Sequence, residues 1–356
     1  MAIAALLLVS ACVEEIEPEP TRDPPEGMLV YEGECARVFQ TFEGFVCQGT
    51  AERLDLRVCQ VRDYLGGGPD LELVDLYLAV AEGEQMSDWC GQPGLGGCAN
   101  GLVAFSLESS MNHEIVHVVA EAISGHDPHS ILDEGLAQAL DGKTHSLVEP
   151  PDLESLLSSN SGHKTHRNSA TNFVGWILMT HGPEIVMRVA SDAPAGSTRV
   201  ELEAALSKHL GMSVDAIVAA YEADTAWTYP ELPPLTPALT PEEWANGVEM
   251  NFECSETSQG LSGEPYMWRT VDFTVDVSGT YLFPFGDALA IWIDGVCEDP
   301  HFEDGVLPCE ELGFGEFGFT YRRMQLDPER RYRARIEAEY PGPVSFTFLP
   351  MLEVDP

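Results

Sequence analysis

The segment SMNHEIVHVVAEA, residues 110–122, sets His113, Glu114 and His117 inside a run of apolar residues. Burying two imidazoles and a carboxylate without partners costs several kcal/mol, so the pattern calls for something that compensates them. On a helix, residues four apart stack on one face, and His113 and His117 can then reach one point. Two neutral imidazoles at that spacing make a bidentate zinc site, with Zn–N about 2 Å. Glu114 lies about 100° further round the helix, beside such an ion and not aimed at it. That placement suits a base that takes a proton from a metal-bound water, whose pKa zinc lowers to about 7. The chemistry implied is attack of water on a carbonyl.

HExxH supplies two ligands, and a third must follow. The metzincin continuation needs Gly at position 120 and His at position 123; the chain has Ala120 and Ile123, which excludes that subclass. His126 and His129 fall in the turn-like GHDPH and can ligate only by folding back. Glu134, in SILDEGLAQAL, follows His117 with sixteen residues between them, enough for a turn and an antiparallel return. Ser130 and Asp133 read as a capping-box-like start for this second helix, which the pattern carries to Gly142.

HEIVH followed by DEGLA resembles the gluzincin metallopeptidases, in particular bacterial peptidases with thermolysin-like catalytic helices and an E-G-[apolar]-A motif. The resemblance implies Glu134 as third zinc ligand and makes Asp133 a candidate for orienting a histidine ligand. NFVGWILMTHGPEIVMRV is similar to a further helix of that family, with Asn172 where Ser is usual, and VELEAALSKHLGMSVDAIVAAYEAD to its closing helix pair. GCANGLVAFS occupies the place of the edge strand that receives an extended peptide. The likeness covers about residues 90–225. Such enzymes steady the oxyanion with a Tyr or His, yet no Tyr lies between Tyr77 and Tyr221; His163 and His166 in SSNSGHKTHRN are the substitutes, His166 first.

The elements around these motifs form four regions. MAIAALLLVSAC is apolar and too short to span a bilayer, and Val9–Ser10–Ala11–Cys12 resembles a bacterial lipobox with Cys12 as the acylated residue. With the acidic, Pro-rich VEEIEPEPTRDPPEG behind it, residues 1–27 read as lipoprotein signal and tether. Residues 28–228 are expected to be the metallopeptidase domain. In it TAERLDLRVCQVRDYLG has helical spacing, while LELVDLYLAV and GLVAFSL look like strands. YPELPPLTPALTP, 229–241, holds five prolines and reads as a linker. Residues 242–356 turn to period-two alternation, the signature of a small β-sandwich, and VDFTVDVSGTYLF is similar to prepeptidase C-terminal modules. The fold class expected is therefore α+β: a zincin-like domain, with a small mixed sheet packed on a helical half, plus a C-terminal antiparallel β-sandwich.

Export permits disulfides. Leaving Cys12 aside, eight cysteines remain, five before residue 100 and three after 250, so either a bridge joins the two parts or two thiols stay free. Cys90–Cys98, bracketing GQPGLGG, and Cys297–Cys309 are the preferred pairs. The net charge of −41, with three lysines, repels nucleic acid and anionic lipid. A run of arginines, Arg322, Arg323, Arg330, Arg331, Arg333 and Arg335, reads as cross-strand partners for the chain's own acids. The function expected is an exported metallopeptidase, with one Zn2+ per chain and a peptide or protein substrate, held to the bacterial cell envelope (outer membrane or cell surface) by its lipid alone. The alternative is a catalytically weak or inactive peptidase-scaffold surface protein that binds a protein or glycan partner.

Overall fold

The structure, a computed structural model, describes residues 23–80, 84–91, 95–141, 153–159 and 167–224, and after those short segments and single residues between 230 and 350, mostly as backbone alone. Its first part is a mixed α/β arrangement built on five strands: β1 (Met28–Glu32), β2 (Ala36–Gln40), β3 (Val74–Ala79), β4 (Gly97–Asn100) and β5 (Val103–Leu107). The spatial order is β1-β2-β3-β5-β4. β2, β3 and β5 run parallel, and β1 and β4 flank them antiparallel. β3 reads VDLYLA, almost continuously apolar, as a strand covered on both faces must.

The two faces carry different layers. Val38, Val74, Leu76, Leu78 and Ala104 point to the main core. There they meet α1 (Gln48–Tyr64) and α3 (Glu108–Ser124), whose buried Leu54, Val58, Val61 and Met111, Ile115, Val118 recur at helical spacing. Each such side chain, fully buried, contributes about 1.5–3 kcal/mol. Tyr77, Ala79 and Phe105 point the other way, into a small second cluster with Met86 and Trp89 of α2 (Glu84–Cys90). The chain arriving from residue 23 is sewn to α2, the Trp89 indole N–H donating to the Asp23 carbonyl at 2.9 Å.

From α3 to Ala223 the elements described are helices: α4 (Ser130–Leu140), α5 (Leu153–Ser159), α6 (Arg167–His181), α7 (Pro183–Asp192), α8 (Arg199–Leu210) and α9 (Val214–Ala223). Pro183 stands in the first turn of α7, and Thr198 with Glu201 makes a capping box on α8. One start differs from expectation. His129, not Ser130, caps α4, its ring Nδ1 accepting the Ile131 N–H at 3.2 Å. Ser130 is inside the helix, and the Asp133 carboxylate is engaged elsewhere. α4 ends at Leu140, two residues before the expected Gly142.

Beyond α10 (Pro241–Ala245) the backbone forms antiparallel strands: β6 (Val248–Phe252), β7 (Tyr266–Thr274), β8 (Gly279–Phe285), β9 (Ala290–Asp294), β10 (Cys309–Leu312), β11 (Thr320–Leu326), β12 (Arg331–Glu339), β13 (Gly342–Phe346) and β14 (Leu349–Pro350). They pair as β10-β11-β8-β14, β7-β12-β9 and β13-β6. The register sets Arg322 opposite Glu311, Arg323 opposite Glu310, and Arg333 opposite both Asp272 and Asp294.

Cys90 and Cys98 are bridged, tying α2 to β4. The uneven five-and-three split of the cysteines resolves as a bridge between the two parts, Cys47–Cys254. A third bridge, Cys35–Cys59, joins the start of β2 to α1. Cys297 lies outside the described residues, and Cys309 is described by backbone only. So Cys297–Cys309 lies outside what is described, as does Cys12. No helix among the described residues is long and apolar enough to cross a membrane.

Candidate metal centre

α3 begins directly after β5, so its first turns stand at the carboxyl ends of the parallel strands. Its apolar side seats on the sheet, leaving His113 and His117 together on the side facing α4. Their Nε2 atoms approach to 3.1 Å, with the ring planes nearly perpendicular at 83°. Gly125, in the left-handed conformation at φ 83°, ends α3 and turns the chain back. The loop that follows is fixed to the loop after α7. The Ala195 N–H donates to the Asp127 carbonyl at 2.7 Å, and the His129 N–H to the Ala193 carbonyl at 2.8 Å. His126 lies 3.0 Å from the Ser191 carbonyl. His126 and His129, the alternative ligands in the sequence, are thus used to hold this loop and to cap α4.

α4 then delivers two carboxylates. Asp133 accepts from His117 Nδ1 at 2.7 Å. With that proton held on Nδ1, it is Nε2 that faces the ligand position, and its lone pair becomes available to a metal once the second ring proton is shed. Glu134 Oε2 lies 3.7 Å from His113 Nε2. One ligand atom each from His113, His117 and Glu134 falls within 4.8 Å of the others. Gly135 explains why α4 can come so close. A Cβ there would stand 2.5 Å from Val174 Cγ2 and 2.7 Å from the Ala170 carbonyl oxygen, both on α6. The glycine of DEGLA is therefore a packing requirement.

These residues fit a zinc ion. Tetrahedral ligands at about 2.0–2.1 Å stand about 3.3 Å apart, and the spacings of 3.1 and 3.7 Å bracket that edge. Two imidazoles and one carboxylate are a three-ligand donor set that leaves a fourth position open. The charge agrees. Burial alone would lower the His117 pKa, but the Asp133 carboxylate with its hydrogen bond, and the charges of Glu114 and Glu134, raise it to about 10. Three carboxylates around two imidazoles in an apolar setting draw in a positive charge, and a dication satisfies them.

Glu114 is buried on α3, beside His113. β4 lies against it through Gly97, which closes the Gly-rich GQPGLGG and opens the edge strand GCANGLVAFS. A Cβ on Gly97 would meet Ser106 Oγ at 2.4 Å and Glu114 Cγ at 2.9 Å. Only a strand without a side chain at that point can lie so near the carboxylate. α3 continues unbroken through Ala120 and Ile123, in keeping with the excluded metzincin pattern. His163 and His166 lie outside the described residues.

No family model matches the chain, and neither does any curated protein. Among solved structures it is similar to Legionella pneumophila aminopeptidase A, determined in complex with aspartic acid, at 9% identity and a TM-score of 0.32. The likeness covers 71% of this chain and 31% of that one, so the chain spans under a third of that enzyme's length. At such identity and TM-score it bears on neither the site nor the activity.

Proposed function

We propose that the chain is an exported, lipid-anchored zinc metallopeptidase of the gluzincin type. In this reading residues 28–228 are a zincin-like catalytic domain, 229–241 a linker and 242–356 a β-sandwich. The observation that carries it is the convergence of His113 Nε2, His117 Nε2 and the Glu134 carboxylate, with Asp133 on the far nitrogen of His117.

His113, His117 and Glu134 would hold the ion. Zinc, when bound, supplies Lewis acidity that acidifies water and polarises a carbonyl. Glu114, held dry beside the ligands, takes the proton of the attacking water and returns it to the leaving nitrogen. Asp133 fixes the His117 tautomer. Among the described residues β4 is the outermost strand of its sheet, and it lies against Glu114, so a peptide added along its outer edge passes the carboxylate. His166, or His163, is the candidate oxyanion partner. Cys12 in its lipobox-like setting would carry the anchor, and the acidic body leaves the lipid as the membrane contact.

The test is zinc content together with turnover. The parent chain, purified without chelator, should carry one zinc, and Glu134→Ala should lose it. Glu114→Gln should keep the ion while cleavage of an unfolded protein substrate falls by about 10²-fold or more. A metal-free parent refutes the reading. Zinc without turnover in the parent would instead favour the binding-scaffold alternative.

A further inference from the structure

β4 is four residues long and, among the described residues, pairs with β5 alone, through a hairpin whose turn is Gly101–Leu102. A strand this short at a sheet edge belongs to the least stable part of a fold. The proposed reaction nevertheless asks it to hold a peptide against Glu114. Its alternation shows how it is held. Gly97 and Ala99 face the core side, where Gly97 meets Glu114 and Ala99 packs on the main cluster. Cys98, between them, faces the opposite side and joins the small cluster of Tyr77, Met86, Trp89 and Phe105. There it is bonded to Cys90, the last residue of α2. α2 is itself fastened from outside, by the Trp89 indole on the Asp23 carbonyl and by Gln85 Nε2 on the Glu26 carbonyl at 3.3 Å.

We propose that the Cys90–Cys98 bridge is a positioning device for the substrate strand: it clamps β4 from behind, at the residue next to the one that touches Glu114. Its kinetic consequence rests on the peptidase reading above. The other disulfide of the same part, Cys35–Cys59, joins β2 to α1 and leaves β4 untouched, which supplies the control.

The experiment compares parent, Cys90→Ser/Cys98→Ser and Cys35→Ser/Cys59→Ser in the full chain. Three readouts are taken: zinc content, peptide kinetics and amide hydrogen exchange over residues 96–107. In the first variant the amides pairing β4 to β5 should exchange at least about tenfold faster. KM for a peptide should rise about five- to tenfold with kcat within about twofold, since a loosened strand weakens binding before it disturbs the chemistry. Zinc should stay at the parent level. Cys90→Ala/Cys98→Val keeps apolar contacts in the cluster but not the bond, and should behave like the serine pair. Unchanged exchange and KM in both pairs would overturn the proposal, and so would equal changes in the Cys35/Cys59 control. A parent with neither zinc nor turnover would refute the peptidase reading alone, with exchange at β4 still deciding whether the bridge holds the strand.

Discussion

Asp133→Asn tests the centre at its most exact contact. The Asp133 carboxylate accepts from His117 Nδ1 at 2.7 Å, a charge-assisted bond in a partly buried place. An amide of the same size has two choices. Offering its oxygen, it keeps the tautomer but loses the charge. Offering its NH2, it drives the imidazole proton to Nε2, where it occupies the position the ion needs. Removing such a partner costs about 10–100-fold in metal affinity, or about 1.4–2.7 kcal/mol. The Asp133 side chain is 27% exposed, so water screens part of its charge and the loss should fall in the lower half, about 10–30-fold. Competition against a chromophoric zinc chelator at pH 7.5 reads this directly, with the circular dichroism spectrum as a check on the fold. Affinity within about twofold of the parent would show that His117 is not oriented by Asp133 and would remove the geometric basis for the ligand assignment.

Three further outcomes are expected. Burial first, then the hydrogen bond and charge of Asp127, push the Glu121 carboxyl from its ordinary 4.5 up to about 8. Between those values the folded chain keeps a proton that the unfolded chain has shed, so stability falls as pH rises across the window and levels above about 8. Glu121→Gln should flatten that fall in a Tm series from pH 4.5 to 8.5, and an unchanged slope would refute the assignment. Gly135→Ala sets a methyl against the Ala170 carbonyl, which cannot rotate away; a stability loss of about 1–3 kcal/mol and weaker zinc binding should appear together in denaturant melts and chelator titrations. Opening Cys47–Cys254 by Cys254→Ser releases a loop of sequence separation 207, against 8 for Cys90–Cys98. In the chain-entropy account these are worth about 5.4 and about 2.5 kcal/mol, and the reverse order in urea midpoints would contradict that account.

The convergence of His113, His117 and Glu134 was legible because its spacing is local. His113 and His117 meet through helical geometry alone, and Glu134 needs only a turn and a return. The same holds for Cys90–Cys98, eight residues apart. What escaped depends on packing between distant segments. Cys35–Cys59 forms because α1 lies on β2, and Cys47–Cys254 spans most of the chain; neither leaves a local pattern. At the start of α4, Ser130 and Asp133 imitate a capping box. An imidazole takes that role, while Asp133 answers to a histidine on another helix. Gly97 carried no signal among neighbouring glycines, since its role is set by a carboxylate on α3.

The Cys47–Cys254 bond also changes what a cut does to this chain. Residues 47 to 254 form a covalent ring that takes in α3, α4 and the Pro-rich stretch 229–241. One break anywhere in that ring separates nothing. A molecule nicked within it by a peptidase migrates as one species without reductant and as two with it. The ring therefore keeps HEIVH and DEGLA on one molecule after the backbone between them is lost.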